Sequence, residues 1–287
     1  MFFGIFSVFA LAFLILIPLY IEHHSKYTAT QPSQHQLQQK PPNQPPKNEQ
    51  SQKPQPPQKE EPQKPAENKP DQSKIYWGVD TASEINQAFY QCVEQNYGKP
   101  DVVGRYIGDN QGASTGLTKE EVAFLKQQGI KIIPIYNHFS NATGYQNGVA
   151  EAEAAIALAK ELGIPKDVVI FADIEPKYPV DAEFIRGWVE TLSSSPYKPG
   201  IYGVFLDGKE LSKAYNDAVA KNQAFNNMIF IWTSNPEVGT TAKDQAPNYN
   251  PNTPNTIPAS IWQYGLEGKQ CNIDTNLIQA TAYSAAW

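Results

Sequence analysis

Residues 167–175 read DVVIFADIE, an apolar run that ends in two carboxylates. Short runs of β-branched and aromatic residues bounded by turn signals are typical of buried strands. Similar runs occur at residues 75–80 (IYWGVD), 101–108 (DVVGRYIG), 130–136 (IKIIPIY) and 199–205 (PGIYGVF). Amphipathic stretches with helical spacing follow them, near residues 84–95, 118–128, 149–162, 181–193 and 209–222. This alternation predicts repeated βα units on a parallel sheet.

Beyond residue 222 the pattern changes, because three strand-like runs have no helical pattern between them. They are MIFIWTS (228–234), ASIWQYG (259–265) and CNIDTNLI (271–278), and a long polar loop at 237–258 separates the first two. Eight strands, five of them followed by helices, predict an α/β fold, a modified TIM-like (β/α)5β3 barrel. An open doubly wound sheet is the alternative, but it usually has a Gly-rich phosphate-binding turn after its first strand, which Asp80-Thr81-Ala82-Ser83 is not.

The rest of the chain has two further compositions. Residues 1–21 carry no charged side chain and are about as long as a membrane-spanning helix, so they are a transmembrane anchor or a signal sequence. No Lys or Arg precedes this apolar segment and no small-residue cleavage site follows it, which favours an uncleaved anchor. Residues 22–74, rich in Pro, Gln and Lys, predict a disordered linker, and residues 75–287 predict the barrel domain.

The low-complexity tether predicts a single-pass protein of the cell membrane with its C-terminal domain outside the cytoplasm, or a secreted protein if the N-terminal segment is cleaved. The one basic residue close to the apolar segment, Lys26, favours the opposite orientation. The expected membrane contact is the N-terminal helix.

The charge of the globular part excludes one class of partner. The whole chain has a net charge of −6, and residues 75–287 hold 15 basic and 23 acidic side chains. A domain this acidic without a basic cluster is poorly suited to phosphate backbones, so we expect no nucleic acid partner.

Cysteine and histidine usage limits the chemistry. Cys92 and Cys271 lie far apart in sequence and are either a disulfide pair or two buried thiols. His138 is the only histidine of residues 75–287, so ligands for a His-based zinc site are lacking, and we expect neither a metal nor a cofactor.

Candidate site residues lie where the predicted strands end, because the carboxyl ends of barrel strands form the active face. Asp173 and Glu175 are two residues apart and therefore project from the same face of their strand. Two nearby carboxyl groups push their pKa values apart, which is what acid-catalysed cleavage of a glycosidic bond requires. The alternative is that this pair only caps a helix or binds a lysine.

Aromatic and polar side chains at the other strand ends are candidates for substrate binding, since aromatic faces stack on sugar rings. They are Tyr136, Tyr202, Trp232, Trp262, Gln263 and Arg105. Gln263 lies on the opposite face of its strand from Trp262, and the pattern leaves open which face lines the cleft. The alternative is that these aromatic rings only fill the barrel.

Five short motifs occur in order along the globular part: Gly78-Val79-Asp80, Phe171-Ala172-Asp173-Ile174-Glu175, Gly200-Ile201-Tyr202-Gly203, Ile261-Trp262-Gln263-Tyr264 and Asn272-Ile273-Asp274. With them, residues 75–287 resemble the glycoside-hydrolase-like domain of unknown function known as the DUF1906 group, and more distantly the glycoside hydrolase family 25 lysozymes.

The resemblance implies a (β/α)5β3 barrel with an acidic site of Asp80, Asp173, Glu175 and Asp274. By analogy with the lysozymes, Glu175 would protonate the glycosidic oxygen and Asp173 would orient the N-acetyl group of the substrate. The implied substrate is the cell-wall polysaccharide peptidoglycan, cut between N-acetylmuramic acid and N-acetylglucosamine.

Two alternatives remain beside this hydrolase. One is a non-catalytic glycan-binding module on a flexible tether, with Tyr136, Trp232 and Trp262 as stacking platforms. The other is a scaffold whose Pro-rich linker recruits a partner.

Overall fold

The computed structural model describes residues 73–287. The predicted anchor or signal sequence at 1–21, and all of the predicted linker except its final two residues, lie outside the described part of the chain. Within the described part, no helix has the length and hydropathy needed to cross a bilayer.

Eight strands close into one barrel in chain order. They are β1 (Ile75–Thr81), β2 (Val102–Tyr106), β3 (Lys131–Tyr136), β4 (Val169–Asp173), β5 (Lys198–Gly203), β6 (Phe230–Ser234), β7 (Ala259–Gly265) and β8 (Asp274–Gln279). Neighbouring strands from β1 to β7 are parallel, whereas β8 runs antiparallel to both β7 and β1. The predicted α/β barrel is confirmed, and the pairing of β1 with β8 excludes an open sheet.

Helices follow each of the first five strands, as the amphipathic stretches predict. They are α1 (Gln87–Asn96), α2 (Lys119–Gln127), α3 (Tyr145–Leu162), α4 (Ala182–Ser193) and α5 (Glu210–Lys221). Two short helices come later in the chain, α6 (Phe225–Met228) before β6 and α7 (Ala280–Ser284) after β8. The side chains of Asn86, Thr118 and Asp181 accept hydrogen bonds from backbone amides in the first turns of α1, α2 and α4. These caps stabilise the helix starts by satisfying otherwise unpaired donors.

Alternation along each strand separates the barrel interior from the layer under the helices. The interior is filled by a cluster that includes Val102, Ile133, Ile135, Val169, Phe171, Trp232, Ile261 and Ile278. Helix α7 closes the end of the barrel where the parallel strands begin, because Ala285 O accepts from Val169 N and Lys131 Nζ donates to Tyr283 O. The acids Asp80, Asp173 and Asp274 lie at the opposite end of the strands.

The loop between β6 and β7 takes the place of an outer helix. Within it, Gly239 N donates to Tyr264 O and Lys243 N donates to Tyr97 O, while the Tyr249 ring packs edge-on against Trp262. These contacts place the loop against the outer wall of the barrel.

Cys92 of α1 and Cys271 of the β7–β8 loop form a disulfide across 179 residues of sequence, with their Cα atoms 6.1 Å apart. This settles the two alternatives for the cysteines. The bond fixes the loop that precedes β8 to the first helix.

Candidate active site

Four carboxylic acids lie at the open end of the barrel. Asp80 is near the end of β1, Asp173 is the last residue of β4, and Glu175 follows two residues later. Asp274 begins β8, and because β8 is antiparallel, its first residue lies level with Asp80 at the ends of the parallel strands. The structure thus brings the four predicted acids to one end of the fold, where burial and neighbouring carboxylate charges raise the pKa values of Asp173 and Asp274.

Gln263 joins two of these acids. Its Nε2 lies 3.1 Å from Asp80 Oδ2 and 3.1 Å from Asp274 Oδ2, and the Tyr202 hydroxyl donates to its Oε1 at 2.8 Å. This answers the question that the strand pattern leaves open, because Gln263 faces the acids while Trp262 faces outward. A single amide therefore bridges two carboxyl groups on different strands.

Asn276 connects the acids to the barrel floor. Its Nδ2 donates to Asp80 Oδ2 at 2.6 Å, and its Oδ1 accepts from Trp232 Nε1 at 2.8 Å. The Trp232 ring is buried in the barrel interior, with Phe171 and Tyr202 packed at its edges. Trp232 thus supports the site from below, and its burial leaves no face for stacking on a sugar.

Burial sets the proton affinity of the acids. It raises the pKa of Asp80 to about 6, with hydrogen bonds from Asn276 and Gln263 opposing the shift. Burial and the Asp80 charge raise the pKa of Asp274 to about 7. Burial, then the charges of Glu175 and Asp80, raise the pKa of Asp173 to about 8. Near neutral pH the site therefore contains an ionised Asp80 and a protonated Asp173, a division of roles that acid catalysis uses.

Two tyrosines complete the inner wall. Burial and the neighbouring carboxylates raise the pKa values of Tyr106 and Tyr202 well above the usual range, so both phenols remain hydrogen-bond donors. Hydrogen bonding from Tyr106 lowers the pKa of Asp173. Tyr106 follows Arg105 at the end of β2, and of the two it is Tyr106 that faces the acids, since Val102 on the same face of the strand lies in the interior.

Arg105, predicted to bind substrate, lies on the other face of β2 and is fully buried. Its Nε donates to Glu121 Oε1 at 2.6 Å, and its other nitrogens donate to Thr81 O, Thr115 O and Glu121 Oε2. The structure corrects this prediction, because every donor group of the guanidinium is directed at protein atoms outside the acidic site.

Tyr136 and Trp262 also face outward, which corrects their predicted contact with substrate. The Tyr136 hydroxyl donates to Glu151 Oε2 at 2.7 Å, and its ring packs near Trp188 under the helices. Trp262 is 4% exposed and donates from Nε1 to Asn235 O. Both rings stabilise the layer outside the barrel.

A cavity of about 300 Å³ lies beside Glu175. Its lining, which comes from the ends of β4 and β5 and the start of α5, includes Ile174, Glu175, Tyr178, Val180, Val204, Lys209 and Leu211. Within residues 73–287 no cluster of His, Cys, Asp and Glu has an arrangement suited to a metal ion. The site as built offers carboxyl, amide and phenol groups for proton transfer and hydrogen bonding.

Comparisons with known proteins give one family. The sequence model of the Rv2525c-like glycoside hydrolase-like domain matches residues 98–279. A 1.07 Å crystal structure of an uncharacterized B. stearothermophilus protein is 38% identical, with a TM-score of 0.72, over 74% of this chain and 100% of that one. No curated protein matches the sequence.

Two further solved structures share little sequence with the chain. The catalytic domain of endolysin ply40 from bacteriophage P40 of Listeria monocytogenes is 14% identical, with a TM-score of 0.48, over 74% of this chain and 97% of that one. The bacterial lysozyme from Streptomyces coelicolor is 15% identical, with a TM-score of 0.48, over 75% and 98%. These similarities are too low to bear on function.

Proposed function

Because the chain belongs to the family of Rv2525c-like glycoside hydrolase-like domains, we propose that it is a cell-wall glycan hydrolase that cleaves a glycosidic bond of peptidoglycan. The observation that carries the proposal is the set of four acids at the open end of the barrel, three of them with raised pKa values. Buried carboxyl groups held close together without a counter-ion cost stability, and such sites are where acid and base catalysis is found.

In this proposal Glu175 is the general acid. It borders the cavity and is less buried than Asp173, so it is the member of the pair that reaches a bound glycan. A side-chain hydrogen bond joins Asp173 to Glu175 and helps to raise the pKa of Asp173, so a proton held by Asp173 can pass to Glu175. The proton is delivered through Glu175 to the glycosidic oxygen, and the bond from that oxygen to the sugar carbon breaks. Water then adds to the sugar carbon and gives up a proton to Glu175, which restores the pair.

The ionised Asp80 has the complementary role. Glycosidic cleavage develops positive charge on the sugar ring, and a fixed negative charge in a dry site stabilises it. Asn276 and Gln263 hold Asp80 in one orientation through three hydrogen bonds. This preorganisation means that the charge needs no rearrangement during the reaction.

We further propose that the domain works outside the cytoplasm, held at the membrane through residues 1–21 or released if that segment is cleaved. The disulfide between Cys92 and Cys271 supports this location, since such bonds persist in oxidising compartments. A linker of the composition of residues 22–74 spans on the order of 40 Å as a random coil and up to ~150 Å as polyproline II, which gives reach into a cell wall.

In the structure, the three aromatic rings expected to stack on a glycan are buried. Tyr136, Trp232 and Trp262 are all at least nine-tenths buried, so none offers a face to a sugar ring. The carboxylates therefore favour hydrolysis over binding alone.

The decisive experiment is mass spectrometry of fragments released from purified peptidoglycan by the full chain. Glu175→Gln is the test variant, and Glu153→Gln, on the exposed face of α3, is the matched control. We expect new reducing ends from the wild type and the control and none from Glu175→Gln. Absence of fragments from all three proteins would refute hydrolysis, and fragments from all three would refute the role of Glu175.

A further inference from the structure

A second cavity lies next to the one that borders Glu175. It measures about 450 Å³, against about 300 Å³ for the first. Gly208 and Lys209, which precede α5, line both cavities, and Pro254 and Thr256 of the β6–β7 loop line the second. Pockets of about 300–1,000 Å³ are the usual size for bound small molecules. Open space of that size therefore reaches from Glu175 to the β6–β7 loop.

The segment that separates the two cavities carries no side chain at its turn. Gly208 has φ +72°, a backbone conformation that favours glycine, and a Cβ added there would meet no atom within 4 Å. A flexible ligand can therefore cross from one cavity into the other over Gly208.

The first cavity has an aliphatic wall beyond Glu175. The residues of this wall are Ile174, Val180, Val204 and Leu211. Along such a wall a sugar hydroxyl would give up hydrogen bonds to water, whereas a methyl group gains free energy from burial. This part of the space therefore suits a small alkyl group better than a further sugar ring.

The second cavity is polar and has charges of both signs. Lys209 and Lys213 supply positive charge, and Asp207 and Asp217 supply negative charge. Within residues 73–287 none of these four side chains forms an ion pair. Among the described residues that line this cavity, none is aromatic. Unpaired charges of both signs around one cavity suit a ligand with both carboxylate and ammonium groups.

A short peptide attached to the glycan has both kinds of group in the matching order. The muramic acid units of peptidoglycan carry such peptides, in which alanine is bound next to the sugar and residues with free carboxylate and amino groups follow. Beside a glycosidic bond held at Glu175, the alanine methyl group would meet the aliphatic wall first. The charged residues of the peptide would then reach the second cavity.

We propose that the two cavities form a subsite for the peptide carried by the glycan, so that the protein cleaves peptide-bearing glycan in preference to bare glycan. This inference rests on the proposed function, because the peptide belongs to the substrate proposed for the same site. It assigns Lys209 and Lys213 to the binding of peptide carboxylates, apart from the groups that break the bond.

Cleavage of two matched substrates tests the inference. One is purified peptidoglycan, and the other is the same material after an amidase has removed its peptides. For the full chain we expect reducing ends to be released roughly tenfold faster from the peptide-bearing glycan. Lys209→Gln combined with Lys213→Gln should lower that rate about fivefold, as two partly exposed ion pairs allow, and bring it closer to the rate on bare glycan.

The matched control combines Lys160→Gln with Lys166→Gln, which removes the same charge from exposed positions that precede β4. We expect this variant to keep the wild-type ratio between the two substrates. Equal wild-type rates on the two substrates would overturn the subsite and leave hydrolysis standing. A Lys209 and Lys213 variant that behaves like the control would do the same.

Calorimetry separates the subsite from hydrolysis itself. A disaccharide with its peptide and the same disaccharide without it are titrated into the full chain, and we expect the peptide to tighten binding by the wild type more than by the Lys209 and Lys213 variant. If neither glycan is cleaved, peptide-dependent binding would refute hydrolysis and support the subsite. Equal binding of the two disaccharides without cleavage would overturn both proposals.

Discussion

Tyr202 determines the orientation of Gln263. Its hydroxyl donates to Gln263 Oε1 at 2.8 Å, which directs the amide hydrogens of Gln263 toward Asp80 and Asp274. The reverse orientation would place the amide oxygen against two carboxyl groups. A phenol on β5 thus controls how two acids on β1 and β8 are joined.

Tyr202→Phe should therefore lower activity with little effect on the fold. Without the hydroxyl, Gln263 is free to turn, and Asp80 loses part of its fixed orientation. We expect roughly a tenfold fall in kcat, the size of one hydrogen bond at a reacting site, measured as release of peptidoglycan fragments. Tyr215→Phe is the matched control, because its hydroxyl donates to Asn226 Oδ1 in the outer layer. An equal loss of activity in both variants would contradict the role of Tyr202.

Stability should fall as pH rises through the titration of the buried acids. The pKa values of Asp80, Asp274 and Asp173 are raised from 3.8 to about 6, 7 and 8, so between pH 4 and 8 the folded protein binds these protons more tightly than the unfolded chain. The free energy of unfolding therefore decreases with pH in this window. Asp173→Asn removes the group with the largest shift and should be more stable than wild type at pH 8.

Urea unfolding at pH 5 and pH 8 measures this effect. Asp217→Asn, an exposed change on α5, should follow the wild-type curve. A wild-type protein that gains stability from pH 5 to pH 8 relative to Asp173→Asn would show that the site acids are not held protonated by burial.

We expect Arg105 to stabilise the fold rather than to contact substrate. Both members of its ion pair with Glu121 are fully buried, and breaking such a pair leaves an uncompensated charge in the interior. Arg105→Met should lower the free energy of unfolding by about 3–5 kcal/mol. Changing Glu121 to Met as well should recover part of that loss. Loss of activity by Arg105→Met at unchanged stability, assayed by urea unfolding, would instead favour a direct contact with substrate.

The disulfide should account for a measurable share of stability. Replacing both Cys92 and Cys271 by Ser should lower the free energy of unfolding by roughly 2–4 kcal/mol, because the unfolded chain gains freedom. Reductant should shift the melting temperature of the wild type toward that of the double variant and leave the double variant unchanged. A wild type insensitive to reductant under unfolding conditions would argue that the two thiols are not joined.

The strand sequences predict the barrel but only part of its site. Strands with two buried faces are apolar on both sides, so alternation separates the faces without identifying the inner one. Arg105 was therefore predicted to bind substrate although its neighbour Tyr106 faces the acids, and Trp262 was predicted there together with Gln263. The pair Asp173 and Glu175 is identifiable from the sequence, because charged residues seldom end a buried strand without a function.

The contacts of Asn137 could not be predicted for a different reason. It is one residue beyond β3, where the strand pattern has ended, and its side chain is held by Ser114 on the loop that follows β2. Contacts between segments far apart in the chain are decided by tertiary packing. The same holds for the bridge that Gln263 makes across 183 residues to Asp80.

The pairing of β1 with β8 also sets the order in which the protein can become active. Asp80 is made early in synthesis, but its partner Asn276 lies 196 residues later. Folding that depends on such distant contacts is slow, because the chain loses loop-closure entropy before the stabilising contacts form. A chain whose last strand has not yet been made therefore holds isolated acids rather than an assembled site. The acidic site is thus the last part of the fold to be completed, because it needs side chains from both ends of the barrel sequence.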